Sequence, residues 1–142
     1  MKKAVIFATV VLFVFGITAC KGGGGGKYAD VKDVMEKYIT ANEKFVTALD
    51  NIKSADDVVA ALNALTVTTK ELAPKMKEID TKYPEMKDLQ NNPPAELKPL
   101  MERMNAVMGK MMTGMEKMMA YASDPKVQEA QTKYQEAQAA IK

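Results

Sequence analysis

A chain of 142 residues with 20 basic and 18 acidic side chains is sized for one domain and has too little net charge for an electrostatic hold on nucleic acid. It contains no histidine, no tryptophan and a single cysteine, Cys20. Those absences exclude an internal disulfide, a Cys/His zinc site, a Ser-His or Cys-His nucleophile and histidine-ligated haem.

The N-terminal segment has the three parts of a secretory signal: basic Lys2 and Lys3, an apolar run over residues 4–17, and small residues ahead of Cys20. The run is shorter than the roughly 20 apolar residues a bilayer-spanning helix needs, so cleavage is expected rather than retention as an anchor. The ending Ile17-Thr18-Ala19-Cys20 resembles the lipobox of bacterial lipoproteins. That resemblance covers only the first 20 residues or so, and it implies a lipidated Cys20, with cleavage just before it. Two or three fatty acyl chains anchor stably, because each buried methylene contributes about 0.8 kcal/mol and one chain alone is marginal. Losing Lys2 and Lys3 leaves 18 basic residues against 18 acidic ones.

Lys21, the five glycines at 22–26 and Lys27 read as a flexible tether with a reach of about 15 Å. The resemblance implies an extracytoplasmic, membrane-anchored protein. In a Gram-negative cell, Lys21 in place of the inner-membrane retention aspartate favours the outer membrane, facing the periplasm. The expected organisation is a signal peptide over 1–19, lipidated cysteine and linker over 20–27, and a helical domain over 28–142.

The first helical seam runs Val31, Met35, Tyr38, Asn42, Phe45, Leu49, Ile52, in alternating steps of four and three. Asn42 puts an amide on that seam, where it fixes register at some cost in stability. Ser54 followed by Asp56 and Asp57 reads as an N-cap with an acidic first turn. The second seam continues through Val58, Leu62, Leu65, Thr69, Leu72, Met76, Ile79, Tyr83 and Met86. Its register survives Pro74, so a kink is expected there rather than an end, with Pro84 fraying the helix.

Asn91, Asn92, Pro93 and Pro94 form a break, the prolines suiting the first turn of a third helix. Its seam is read as Leu97, Met101, Met104, Met108, Met111, Met115, Met118 and Ala122. Ser123-Asp124-Pro125 caps a shorter fourth helix carrying Val127, Ala130, Tyr134, Ala137 and Ile141. Four amphipathic helices without competing strand signals predict an all-α, up-down-up-down four-helix bundle with antiparallel neighbours. The alanine-rich fourth helix is short enough to cover only part of it. A looser array that completes its core by dimerising is the alternative.

The methionine-rich third helix has three readings. Core packing is the simplest, since unbranched methionine fills irregular gaps. A soft-metal site is the second: thioethers favour Cu(I) or Ag(I), and Met108, Met111, Met112 and Met115 are spaced to present sulfurs together. The third is an adaptable apolar surface for a partner or lipid-like ligand, with Met112 and Met119 beside the seam and Gly109 and Gly114 permitting close approach. Simple helix packing is the plainer account of those glycines.

Catalysis has little support. Glu102 and Glu116 lie about 21 Å apart along a straight helix, and di-iron carboxylate bundles need histidines the chain lacks. The sequence therefore predicts a lipid-anchored cell-envelope protein, non-enzymatic, structural or partner-binding, without a resident cofactor. A Cu(I)- or Ag(I)-binding protein and a binder of apolar ligands are the alternatives.

Overall fold

The computed structural model describes residues 26–85 and 92–141. The lipobox, Cys20 and the glycines at 22–25 lie outside these residues, as does Met86. The described chain forms four helices: α1 (Ala29–Asp50), α2 (Ala55–Lys82), α3 (Lys98–Met119) and α4 (Pro125–Ala139). None of them is long and apolar enough to cross a membrane. The buried apolar core among the described residues extends from Tyr28 to Ala137.

Local chemistry sets the helix ends. Ser54 Oγ accepts from Asp57 N at 3.2 Å, while the Asp57 carboxylate accepts from Ser54 Oγ at 2.8 Å and from Lys53 N at 3.0 Å. This reciprocal cap satisfies amides that the first turn leaves without helical partners. Asp124 caps α4 by accepting from Lys126 N at 2.9 Å, ahead of Pro125 in the first turn. α2 runs on through Pro74 and stops at Lys82, because the residue before Pro84 is pushed out of the helical region. α3 begins later than the break at Pro93 and Pro94 suggested. Those prolines precede it in a turn closed by Leu97 N donating to Pro94 O at 2.8 Å, and Pro99 occupies the first turn.

Successive helices alternate in direction, giving the expected four-helix bundle. Spatial neighbours are not all antiparallel, however. The close pairs are α1 with α2, α1 with α3 and α2 with α4. Lys32 with Glu96, Glu43 with Arg103, and Asp50 with Lys117 advance together along α1 and α3, which are therefore parallel. The 15 residues between Lys82 and Lys98 give the chain length to cross the bundle instead of returning beside α2. Order around the bundle is thus α3, α1, α2, α4, and α3 and α4 make no comparable backbone contact to close the ring.

Burial follows this order. α1 buries eight residues and α2 ten, each having a helix on two sides; α3, as long as α1, buries five. The core divides into two clusters. One, at the tether end, joins Val31, Met35, Leu72, Met76, Leu97 and Leu100. The other joins Phe45, Leu49, Leu62, Leu65, Met118, Val127 and Tyr134 at the distal end. α4 contributes buried residues to the distal cluster only; its follow-on residue Ile141 reaches the first. The expectation that α4 covers part of the bundle is thus met.

Candidate functional site

A polar layer crosses the core where the two clusters meet. Asn42 is buried and its Nδ2 donates to Tyr38 O at 2.8 Å; Thr66 and Thr69 donate to the carbonyls of Leu62 and Leu65 at 2.7 and 2.8 Å. The hydroxyls of Tyr38 and Tyr134 pair across the bundle, and Gln138 Nε2 donates to Tyr134 Oη at 2.8 Å. Burial pushes both phenols above their ordinary range; the adjacent Tyr38 adds to the shift at Tyr134. Among the described residues no buried side-chain polar atom lacks a partner.

At the tether end, Tyr28 and Tyr83 rings pack 5.1 Å apart, and the Tyr83 hydroxyl lies 2.5 Å from Lys27 O and 2.6 Å from Asp30 Oδ1. Lys82 pairs with Asp30, and Lys27 with Glu85 at 2.6 Å. Burial raises the Asp30 pKa, but its bonds to Lys82, Tyr83 and the Val31 amide outweigh that and leave it lowered. This clasp fixes the start of α1 against the end of α2.

On α3 the structure corrects the predicted seam. Leu97, Met104 and Met118 are buried as expected, but the alternate positions are Leu100, Val107 and Gly114 rather than Met101, Met108 and Met115. Those three methionines are half-buried on the flank, Met111 is half-buried, and Met112 and Met119 are 65% and 60% exposed. Two features turn α3 this way. Gly114 lies so close to α1 that an added Cβ would stand 2.7 Å from Leu49 Cδ1. Arg103 also forks onto Glu43 at 2.9 and 2.8 Å, and Lys117 reaches Asp50 O at 3.0 Å, drawing the charged stripe of α3 against α1. Arg103 holds the Glu43 carboxyl below its ordinary range.

Arg103 and Lys117 turn toward α1, while Met108, Met112, Met115 and Met119 with Asn105 lie on the opposite flank of α3, bordered by the exposed Glu102 and Glu116. α4 faces that flank with Gln131 and Tyr134. Between them lies an apolar pocket of about 20 Å³, floored by Phe45, Leu62 and Leu65 and walled by Met111, Met115, Met118, Gln131 and Tyr134. That is room for about one water molecule, far below the 300–1,000 Å³ of a small-molecule site. The arrangement is a shallow groove with an exposed methionine rim.

The four methionines spaced for a soft metal are not brought to one point. Met111 and Met115 line the pocket, Met108 packs against the tether-end cluster, and Met112 stands on the rim; Met118 joins Met111 and Met115 instead. Gly109 has nothing within 4 Å of an added Cβ, so only Gly114 serves close approach. Among the described residues no three His, Cys, Asp or Glu side chains form a metal cluster. Sequence reasoning missed Leu100 and Val107 because methionine occupies nearly every neighbouring apolar position. The recurring charges at Glu96, Arg103, Lys110 and Lys117, which mark the side facing α1, were the available signal. Comparison with protein-family models, curated proteins and solved structures finds no match.

Proposed function

We propose that this protein is a lipid-anchored, non-enzymatic module of the cell envelope that docks an apolar segment of a protein partner against α3 and α4. The observation that carries this reading is the pair Met112 and Met119. Both are more than half exposed, and they lie one heptad apart on α3, with Glu116 between them, beside an apolar pocket on the side where α3 and α4 of the described residues pack least closely. Flexible thioether side chains repack around an incoming surface at little cost. Position supports a partner other than the anchoring bilayer. From Leu97, at the clasp, to Met112 is about 22 Å along α3, so the groove lies toward the end opposite the tether.

A photo-crosslinking amino acid placed at Met112 or Met119 in the lipidated protein tests this in living cells. It should yield a discrete protein adduct, and the same probe at Val67, 56% exposed on α2, should not. Equal labelling from all three positions would remove the groove from the account.

A second reading, Cu(I) or Ag(I) binding, is favoured by the three thioethers of Met111, Met115 and Met118 on one pocket. No carboxylate lines that pocket, so a bound monovalent cation would sit among apolar walls without a compensating charge. Stoichiometric Cu(I) uptake that disappears when those three residues become leucine would promote this reading over docking.

A further inference from the structure

The methionines of this domain span a wide range of exposure, with Met101, Met108, Met111 and Met115 half-buried between the two extremes. Met35, Met76, Met118 and Met104 are 0%, 3%, 4% and 5% exposed, whereas Met119 and Met112 stand at 60% and 65%. Thioether oxidation needs the sulfur lone pair to reach the oxidant, so susceptibility follows exposure. We propose that Met112 and Met119 are sites of oxidation to methionine sulfoxide by peroxide-class oxidants, and that this modification closes the groove to its apolar partner. The second half rests on the docking reading above.

The chemistry balances with the peroxide alone. A sulfur lone pair attacks one peroxide oxygen, an S–O bond forms and the O–O bond breaks. The departing oxygen leaves as water once the proton has shifted; sulfur loses two electrons and the peroxide gains them. The product is a strongly polar acceptor where an apolar surface stood. Covering it with an apolar segment would bury an acceptor against a surface that brings no side-chain donor of its own.

The fold itself is insulated from the event. Neither Met112 nor Met119 belongs to either core cluster, and the core methionines stay shielded while the bundle holds. Seven residues apart on α3, the two sulfurs change the same rim together. The domain thus carries an oxidant-sensitive surface on an oxidant-resistant core.

The test uses the unacylated mature polypeptide, residues 20–142, which contains the whole described core. Under dilute hydrogen peroxide, site-resolved mass spectrometry should show the gain of about 16 Da at Met112 and Met119 at least about tenfold faster than at Met104 and Met118. Helix content should be unchanged at that stage. Equal rates, or unfolding that accompanies rim oxidation, would overturn the assignment. Groove closure is read with the neutral apolar dye N-phenyl-1-naphthylamine. The reduced protein should bind it, and peroxide treatment or M112Q/M119Q should weaken binding about tenfold. M112L/M119L should keep binding after peroxide. Undiminished binding by M112Q/M119Q would overturn closure. Absence of dye binding by the reduced protein would overturn the docking reading and closure together, while the oxidation order is decided by the mass map alone.

Discussion

Two glycines on α3 that look alike in sequence have opposite environments. Gly114 sits where an added Cβ would come within 2.9 Å of Leu49 Cβ, on a side chain with no exposure. Gly114→Ala is expected to destabilise the domain by about 1–3 kcal/mol, because neither helix can retreat without opening the core. Gly109 meets nothing, so Gly109→Ala should stabilise by about 0.5–1 kcal/mol through backbone entropy. Urea denaturation of the two variants decides both, and a loss at Gly109 or a gain at Gly114 would reverse the placement of α3. Close approach was legible in the presence of glycine; which glycine makes it depends on a rotation of α3 that composition does not set. At Asp30, the lowered pKa means stability is fully present above the ordinary aspartate value of about 4 and is lost as pH falls through the folded value. Asp30→Asn should therefore flatten the acid limb of the stability profile, whereas an unchanged limb would show the clasp contributes nothing.

At the scale of elements, α1 and α2 were readable because branched apolar residues alternate with charge and leave one apolar stripe, and α4 because Val127, Ala130, Tyr134 and Ala137 keep helical spacing among polar residues. Met35, Asn42, Leu49, Val58, Leu62, Leu65, Val127 and Tyr134 are all buried where the seams put them. α2 was legible even through Pro74, since Leu72, Met76 and Ile79 keep step across it. α3 was not, because methionine occupies three adjacent stripes and periodicity alone cannot choose among them; the choice comes from Gly114 against Leu49 and the ion pairs to α1. The polar layer joining α1 to α4 makes its own prediction. With both phenols raised, the folded state resists losing their protons. Stability should be intact below the ordinary tyrosine value of about 10 and fall as pH rises beyond it. Tyr134→Phe should make that alkaline fall shallower, measured by denaturant unfolding across pH 9 to 11.5, roughly the span of the titration. An equally steep fall in the variant would detach Tyr134 from it.

For the whole molecule, the helix count and alternating direction follow from four amphipathic segments, but the order around the bundle does not. It depends on the long α2–α3 connection and on which flank of α3 carries charge. The outcome is an incomplete ring whose open side is lined with thioethers toward the end away from Lys27, and the proposed lipid anchor would lie at the Lys27 end. Intact-mass spectrometry of the mature protein should show fatty acyl mass on Cys20, and an unmodified N-terminus there would remove the anchor without touching the bundle. The groove is tested most directly by methyl-labelled methionine NMR of residues 20–142 during titration with N-phenyl-1-naphthylamine. Shifts are expected at Met111, Met112, Met115, Met118 and Met119, with Met35 and Met76 unmoved. Shifts spread evenly over all the methionines, or confined to the tether-end cluster, would contradict an open docking face between α3 and α4.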